Sequence, residues 1–377
     1  MEEWKECKLS DICDYGKDRI EVSSLDNSNY ISTENMLPNR AGITTATALP
    51  TGEYTPSFEI DDTLVSNIQP YFKKIWKATF SGGCSADVLV FKAKENVSKE
   101  YLYYVLADDE FFKYSMTTSK GTKMPRGDKT SIMNYPIKLP PLPTQQKIAA
   151  ILSSLDDKIG LNNKINTNLE QQAQALFKNF SEKSSKSVKF TDLIYILGGG
   201  TPKTNNEDYW NGKIPFFTPK DVGNPYCLLT EKKITESGLD NCNSRLYPVN
   251  TIFVTARGTV GKVCLAGLPM AMNQSCYALK SKEDNQLLAY FYTLEAINSL
   301  KHKANGATFD AIVTRDFETE TINILSEQDT KEFTQIVKPI FEKILTNQKE
   351  NINLSNLRDT LLPKLMNGDL ETNHMGD

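Results

Sequence analysis

Residues 148–180 read "IAAILSSLDDKIGLNNKINTNLEQQAQALFKNF", and apolar side chains recur along them at alternating steps of four and three. The series consists of Ile148, Leu152, Leu155, Ile159, Asn162, Asn166, Leu169, Ala173, Leu176 and Phe180. This alternation is typical of a helix that packs along one side against a partner helix in a coiled coil. We therefore expect a long helix, and a partner elsewhere in the chain with the same pattern.

A second series with the same steps lies in residues 333–365, and each of its members comes 185 residues after its counterpart. It consists of Phe333, Val337, Ile340, Ile344, Asn347, Asn351, Leu354, Arg358, Leu361 and Leu365. Both series have their asparagines at the midpoint, so antiparallel packing would bring Asn162 and Asn166 to Asn347 and Asn351. A buried asparagine layer costs stability but fixes helix register and direction. At 1.5 Å per residue, residues 145–180 would span roughly 54 Å.

Three positions bear on where these helices begin and whether they are straight. Thr144 and Ser326 are predicted N-caps, and Asp329 stands at the capping-box distance from Ser326. Pro339 falls inside the second helix, where it predicts a kink or a broken hydrogen bond.

The remainder of the chain also repeats at a spacing near 185 residues. Residues 61–78 align with 249–266, 88–95 with 276–283, 119–124 with 304–309, and 137–146 with 322–329. Each half reads as short strands, a helix, a loop with Gly and Lys, and then a long helix. The predicted fold is α+β, with two α/β domains separated by two long antiparallel helices in a pseudo-two-fold internal repeat. The predicted divisions are residues 1–143, 144–182 (central helix), 183–326, and 327–377 (C-terminal helix and tail).

The composition narrows the class of protein. The chain is 39% hydrophobic and 24% charged, as in soluble globular proteins, and no apolar run reaches the length of a membrane span. We therefore expect a cytoplasmic protein without a membrane partner. Seven cysteines without a CxxC pair and only two histidines, His302 and His374, favour neither a metal site nor histidine catalysis. The net charge of −4 argues weakly against nucleic-acid binding.

A glycine run at residues 198–200 follows an apolar stretch and raises the question of a nucleotide-phosphate loop. The spacing GxxxxGK[ST] is absent, and Pro202 removes a backbone N–H that such a loop would use. We expect Gly198–Gly200 to permit a turn with positive φ instead. A loose nuclease-like set of Asp221, Glu231 and Lys233 is an arrangement common by chance. No catalytic residue and no metal ligand is therefore predicted.

Candidate DNA contacts come from the aligned stretches. The alignment pairs Asn67 with Thr255, Gln69 with Arg257, Tyr71 with Thr259, and Lys74 with Lys262. Glutamine pairs well with adenine and arginine with guanine in the major groove, so the two halves would read different bases. The alternative interpretation is an ordinary surface hairpin.

Basic residues in equivalent loops add candidate phosphate contacts. Residues 113–129 contain five cations and one acid, and Lys301, Lys303 and Arg315 occupy the comparable region of the second half. The predicted DNA-binding residues are Asn67, Gln69, Tyr71, Lys73, Lys74, Lys120, Thr122, Lys123, Arg126, Lys129, Lys203, Thr204, Lys220, Arg257, Thr259, Lys262, Lys303 and Arg315.

In combination, four segments resemble the specificity (S) subunit of type I restriction–modification systems, over essentially the whole chain. They are "LPPLPTQQKIAAILSSLDDKIGLNNKI" (139–165), "LEQQAQALFKNF" (169–180), "GGGTPKTNNEDYWNGKIPFFTPKDV" (198–222) and "LRDTLLPKLMNGDL" (357–370). Any one of these segments alone would be a weak signal.

The resemblance implies that the two α/β domains are target recognition domains, each reading one half of a bipartite asymmetric site on double-stranded DNA. The helices would set the spacer and dock two methyltransferase (M) subunits, which two restriction/translocase (R) subunits would join. The chain would be non-catalytic and hold no cofactor, whereas S-adenosylmethionine, ATP and Mg²⁺ would serve the partner subunits. The alternative is a standalone, repressor-like DNA-binding protein with the same two heads.

Overall fold

The computed structural model describes residues 4–121, 123–184, 186–223, 225–303 and 311–370. Contacts divide the chain into unit 1, residues 1–158 and 354–377, and unit 2, residues 159–353. These units and the predicted domains are different divisions, because each unit includes part of both long helices.

Unit 1 is built mainly from short strands. They are β1 (Lys5–Lys8), β2 (Cys13–Tyr15), β3 (Arg19–Glu21), β4 (Tyr30–Ile31), β5 (Tyr54–Phe58), β6 (Thr63–Ser66), β7 (Ile75–Lys77), β8 (Gly82–Cys84), β9 (Val88–Ala93) and β10 (Pro136–Leu139). Its helices are α1 (Leu9–Ile12), α2 (Lys99–Ala107), α3 (Asp109–Thr117), α4 (Lys129–Ile132) and the first part of α5 (Leu142–Ser181). Side-chain oxygens of Ser98, Asp108 and Asp128 cap α2, α3 and α4, which fixes where these helices begin.

The central sheet of unit 1 has the strand order β2-β9-β6-β7 and is antiparallel throughout. Its middle strand β9 is apolar on both faces, since Leu89 and Phe91 pack on the helices while Val88 and Val90 pack on the opposite side. A second sheet, β3-β5-β8-β4, covers that opposite side. A sheet buried on both faces explains why β9 reads as a continuous apolar run.

Unit 2 begins within α5 and contains a second set of short strands. They are β11 (Ser187–Lys189), β12 (Ile194–Gly198), β13 (Trp210–Phe217), β14 (Tyr226–Cys227), β15 (Lys232–Ile234), β16 (Ile252–Thr255), β17 (Val263–Ala266), β18 (Ala271–Met272), β19 (Cys276–Ser281) and β20 (Thr321–Asn323). Its helices are α6 (Phe190–Leu193), α7 (Glu236–Asp240), α8 (Gln286–Lys303), α9 (Thr314–Glu318) and most of α10 (Glu327–Asn367).

The two units share one topology, which confirms the predicted internal repeat. In unit 2 the central sheet has the order β12-β19-β16-β17-β14, and its first four strands match β2-β9-β6-β7 of unit 1. A two-stranded antiparallel ribbon, β1-β10 or β11-β20, lies at the start and end of each repeat. The parallel pairing of β4 with β8 likewise recurs between β13 and β18.

The long helices contribute their predicted apolar positions to the two cores. In unit 1, Ile148, Leu152 and Leu365 are buried with the helix-facing side of the sheet. In unit 2 the buried members are Ala173, Phe180, Phe333, Val337 and Ile344. In unit 2 the helix segments run antiparallel, because Asn166 contacts Asn347 while the earlier Asn162 contacts the later Asn351.

One of the three helix signals behaves differently from its sequence prediction. Ser326 is the N-cap of α10, since its hydroxyl accepts the Asp329 N–H at 3.1 Å. The prediction for Thr144 was wrong: α5 begins at Leu142, and the carbonyl of Pro141 accepts the Thr144 N–H at 2.9 Å. Pro143 suits this early turn because its missing N–H would have no helical partner. Pro339 is exposed and does not end α10, whose assignment continues through it.

The seven cysteines are reduced thiols, five of them buried. In the part of the chain that the structure describes, no helix has the length and apolar character needed to cross a bilayer.

Candidate nucleic-acid interface

Loop 1, the connection between β6 and β7 at residues 67–74, carries the first group of predicted contact residues. Backbone hydrogen bonds fix it to segment 1, residues 119–129: Gly127 donates to the Asn67 carbonyl at 3.1 Å, and Gln69 donates to the Pro125 carbonyl at 2.8 Å. Ile68 and Arg126 also form a β-bridge. The structure therefore brings loop 1 beside the basic segment, although some fifty residues separate them in sequence. Thr122 lies outside the described residues.

Asn67 has a different environment from the exposed one expected of a base contact. It is only 7% exposed, and its N–H donates to the Asp87 carbonyl at 2.8 Å. Its side-chain oxygen is buried without a hydrogen-bond partner. In this arrangement Asn67 holds the base of loop 1 in place.

The tip of loop 1 is a short 3₁₀ turn, Pro70–Phe72, between two residues in the left-handed region. Gln69 and Lys73 both have φ of 50°, which is uncommon for residues other than glycine. Gln69 is half-buried, whereas Tyr71 and Phe72 are 46% and 39% exposed. The tip therefore presents a polar side chain and two aromatic rings on a constrained backbone.

Three of the six predicted cations around loop 1 are paired with acids of the same unit, two of them in segment 1. Lys120 binds Asp128 at 2.7 Å, and this hydrogen bond, with one from Ser131, lowers the pKa of Asp128 to about 2. Arg126 binds Asp87 at 3.0 Å. These pairs are exposed to solvent, where such pairs contribute little stability, so a phosphate can compete for the same cations.

Lys73 and Lys74 point back into the unit. Lys74 donates to the Thr33 carbonyl, and Lys73 binds Asp109 at 2.8 Å. Arg40 binds the same Asp109 oxygen. Burial by itself raises the pKa of Asp109, but hydrogen bonds from Lys73 and Arg40 outweigh it and hold that pKa below its ordinary value. Lys123 and Lys129 are both exposed.

Loop 2, the connection between β16 and β17 at residues 256–262, occupies the equivalent place in unit 2. The Ala256 N–H donates to the Ser275 carbonyl at 2.8 Å, and the Ala256 carbonyl accepts the Ile312 N–H at 2.9 Å. In unit 1, Asn67 makes the same two backbone hydrogen bonds, with Asp87 and Gly127. Thr255 and Ser66 both donate to the carbonyl of the aligned lysine, Lys262 or Lys74. The anchoring of the loop is thus the same in both units.

This anchoring corrects the predicted alignment by one residue. Asn67 corresponds to Ala256 rather than Thr255, because these two residues make the same backbone hydrogen bonds. Loop 2 is one residue shorter, so Gln69 and Arg257 lie in equivalent loops but not at equivalent positions. The pairing of Lys74 with Lys262 holds.

Loop 2 presents Arg257, Thr259 and Lys262 to solvent. Gly258 and Gly261 adopt positive φ values of 81° and 73°, which give the loop its tight path. Gly261 also lies against Lys301: a Cβ added there would be 2.7 Å from the Lys301 Cε atom. Burial lowers the pKa of Lys301, and the positive charge of Lys262 lowers it further, so two cations share this side of the loop.

The glycine run at 198–200 leads to Lys203 and Thr204, both exposed. The prediction of positive φ there was wrong, since these glycines are absent from the residues with positive φ. Gly199 and Gly200 are instead needed for close approach, because a Cβ on Gly199 would lie 2.2 Å from the Asn273 carbonyl oxygen and one on Gly200 would lie 2.6 Å from the Asn243 nitrogen. Thr201 donates to Gln274, next to the Ser275 carbonyl that accepts the Arg257 N–H. The run therefore lies at the edge of unit 2 that carries loop 2.

Three further predicted cations of unit 2 are exposed. Lys220 lies 3.7 Å from Glu231, and Lys303 binds the buried Glu320 at 2.6 Å. Arg315 stands in the first turn of α9. Asp221 of the nuclease-like set accepts backbone N–H groups of Thr218 and Glu231 with its two oxygens, and so ties two loops together.

The four asparagines of the helix series meet within unit 2. Asn347 donates to Asn166 at 2.8 Å, and Asn162 donates to Asn351 at 2.9 Å and to Glu350 at 2.8 Å. Asn162 and Asn347 are at most 1% exposed. Each leaves its own side-chain oxygen without a partner.

Arg358 belongs to the apolar series by spacing, but in unit 1 it forms a polar cluster. It binds Asp156 at 2.6 Å, whose second oxygen accepts the Tyr104 hydroxyl at 2.8 Å. Burial raises the pKa of Tyr104, and the charge of Asp156 raises it further. Burial alone would lower the pKa of Arg358, but the charge of Asp156 outweighs it and raises that pKa.

The sequence interpretation did not identify Arg40, Asp109 and Phe72 around loop 1. The contacts of Arg40 and Asp109 leave no trace in the sequence, because they join residues 69 positions apart. Phe72 had a signal: two adjacent aromatics between a proline and two lysines, in "QPYFKK", are typical of an exposed turn.

Both halves of the chain match one protein family. Residues 1–171 and 182–355 each match the family model described as the type I restriction modification DNA specificity domain. The HindI specificity subunit of Haemophilus influenzae is 25% identical, with 98% of this chain and 100% of the relative covered. The MjaIX specificity subunit of Methanocaldococcus jannaschii is 26% identical, with 75% of this chain and 71% of the relative covered.

A solved structure has a similar fold. It is described as the S subunit of a type I restriction–modification system from M. genitalium, and it superposes with a TM-score of 0.60. The match covers 97% of this chain and 96% of the other at 14% sequence identity. At this identity the similarity concerns the fold alone.

Proposed function

The chain belongs to the family of type I restriction–modification DNA specificity domains, and we propose that its two units each read one half of a bipartite asymmetric site on double-stranded DNA. The observation that carries this proposal is the repeated anchoring of loops 1 and 2. Both loops are held by the same backbone hydrogen bonds, yet their exposed side chains differ. A common scaffold with different side chains is what two unequal half-sites require.

The chemistry of the loops suits the reading of base edges. Gln69 can bond adenine in a bidentate manner, and Arg257 can do the same with guanine O6 and N7. Because the two residues are not at equivalent positions, each would reach its own base from its own point on the loop. Exposed cations such as Lys123 and Lys262 would contact phosphates and so fix the orientation of each unit.

The long helices supply a second role in the proposal. They would set the spacer between half-sites and dock two methyltransferase subunits, with two restriction/translocase subunits completing the complex. Leu161 of α5 and Ile336 of α10, both in unit 2, are 52% and 42% exposed, which suits contact with a partner. In this account the chain is non-catalytic, and S-adenosylmethionine, ATP and Mg²⁺ are used by the partner subunits.

Two substitutions test the assignment of the loops. The full chain is assembled with its methyltransferase partner, and methylation is measured on a library of DNA targets. Gln69→Ala should relax preference at one position of one half-site, and Arg257→Ala at one position of the other, each by about tenfold, as expected for a lost bidentate contact. Asp240→Ala, an exposed change on α7, is the control.

An unchanged preference in both loop variants would contradict the assignment. Purification separates the proposal from the repressor-like alternative. We expect the methyltransferase subunit to co-purify with the chain, whereas sequence-specific DNA binding without such co-purification would favour the alternative.

A further inference from the structure

The tip of loop 1 exposes more aromatic surface than folding explains. Tyr71 and Phe72 are adjacent in sequence and 46% and 39% exposed, and their ring centroids lie 4.6 Å apart. Aromatic side chains of this size normally bury most of their surface in a core. A contiguous exposed aromatic patch on a loop marks a binding surface more often than a packing defect.

The backbone that carries this pair is strained and held from both sides. Gln69 and Lys73, at either end of the turn, are both in the left-handed region, which is unfavourable for residues other than glycine. The Phe72 carbonyl accepts the Asn39 N–H at 2.8 Å, and the Lys73 carbonyl accepts the Arg40 N–H at 3.0 Å. Strain of this kind persists where the surrounding structure fixes a functional position.

Side-chain contacts also fix the position of this turn. Asp109, in the first turn of α3, binds both Lys73 and Arg40. The Arg40 side chain is 9% exposed, and its Nε donates to the Ala107 carbonyl at 2.6 Å. This clamp of Arg40, Lys73 and Asp109 ties the far end of the turn to a helix terminus. The two rings therefore keep their place without needing to reorganise on binding.

The surroundings of the pair favour a nucleic acid over a protein partner. Segment 1 adjoins the turn through Gln69 and Pro125, and it carries the exposed cations Lys120, Lys123 and Arg126. Cations positioned for phosphates beside exposed aromatic rings are the combination by which proteins stack on bases. Among the described residues of segment 1, Met124 is the exposed large apolar side chain, so cations dominate the surroundings of the two rings.

We propose that Tyr71 and Phe72 form an aromatic wedge that enters the base stack of the duplex bound by unit 1 and locally distorts it. The inference rests on the proposed function, and it adds a stacking contact to the base-edge contacts given above. Loop 2 has no equivalent aromatic pair, since Arg257 is followed by Gly258 and Thr259. The distortion is therefore confined to the half-site read by unit 1.

The test uses the full chain assembled with its methyltransferase partner, on duplexes carrying the sequence that the complex methylates. 2-Aminopurine, an adenine analogue whose fluorescence rises when it is unstacked, replaces in turn each adenine on either strand of both half-sites and their flanks, other than the methylated adenines. The wild-type complex should give a rise at one or two adjacent positions in one half-site only. Tyr71→Ala and Phe72→Ala should abolish most of that rise and weaken binding about tenfold, whereas Tyr71→Phe should retain it.

Controls separate the wedge from other roles. Tyr195→Ala removes an aromatic ring of unit 2 that is 54% exposed and should change neither signal. Equal fluorescence and affinity in the wild type and both alanine variants would overturn the wedge. The wedge would also be overturned if the alanine variants lost co-purification with the methyltransferase while the complex that still formed gave an unchanged fluorescence rise. That result would assign the two rings to a protein contact. A wild-type complex without sequence-specific binding would overturn the proposed function, and the wedge with it.

Discussion

The 185-residue repeat pairs Arg358 of α10 with Ala173 of α5. The residues around Arg358 also differ from their counterparts in unit 2. Asp156 of α5 has Phe341 of α10 as its counterpart at the same spacing of 185 residues. Tyr104 corresponds to Phe291, because each is the sixth residue after the N-cap of its helix, Ser98 or Asn285. In unit 2 the counterparts Phe291 and Phe341 are buried with ring centroids 5.7 Å apart. One design therefore carries a polar cluster in unit 1 and an apolar one in unit 2.

This comparison predicts how unit 1 responds to substitution. Arg358→Ala leaves Asp156, whose side chain is 28% exposed, without its cation, and should lower the free energy of unfolding by about 3 kcal/mol. The combined variant Tyr104→Phe, Asp156→Phe, Arg358→Ala copies unit 2 and should recover most of that loss, because packed apolar groups can replace a buried ion pair. Urea unfolding measures both, with the exposed Arg245→Ala as control.

A single variant as stable as the wild type would contradict this account of Arg358. A combined variant no more stable than the single one would show that the two clusters are not interchangeable.

Residue-level predictability depended on whether a contact is local. The exposed cations could be named from the sequence because charged side chains face solvent in most contexts. The burial of Asn67 could not, since it depends on Asp87 and Gly127, which are brought to it by the fold. A one-residue difference in loop length, between residues 67–74 and 256–262, was likewise invisible to an ungapped alignment.

Among the elements, the long helices were the most predictable because a heptad pattern is local and repeats many times. The residues at which these helices begin were less predictable. Ser326 caps α10 as predicted, but α5 begins at Leu142, between Pro141 and Pro143, and not after Thr144. Pro339 lies on an exposed face, where water can satisfy the Gln335 carbonyl that loses its helical partner. This explains why α10 continues through a residue that usually ends a helix.

The asparagine layer of α5 and α10 carries a prediction of its own. Asn166→Leu alone leaves the fully buried Asn347 amide without an acceptor and should destabilise the chain by about 1–3 kcal/mol. Replacing both residues with leucine removes the unpaired groups and should raise the thermal unfolding midpoint above that of the single variant. It should also loosen pairing specificity, so size-exclusion chromatography should show additional oligomers.

If the double variant unfolds at a lower temperature than Asn166→Leu, the asparagines stabilise the helices rather than select their register.

On the scale of the whole molecule, the repeat was predictable because both halves keep the order and spacing of their segments. The family resemblance stated from four of those segments is confirmed by a match over both halves. The net charge of −4 was a poor guide to DNA binding. Screening limits the reach of each charge to about 8 Å at physiological salt, so a local cluster of cations decides binding.

The cations of the loops should therefore govern the salt dependence of DNA binding by the assembled complex. Lys262→Ala removes one proposed phosphate contact and should reduce the slope of log affinity against log salt by about one unit. Lys349→Ala, an exposed change on α10, should leave the slope as it is. Equal slopes for the wild type and Lys262→Ala would remove Lys262 from the interface.

The central claim is that one chain reads two different half-sites, one with each unit. Mapping modified bases in the genome of cells that express the chain with its methyltransferase partner tests it most directly. The account predicts a split motif of two unequal half-sites at a fixed gap, with a methylated adenine in each half on opposite strands, and loss of this motif when the chain is deleted. A short uninterrupted palindrome, or methylation that persists without the chain, would contradict it.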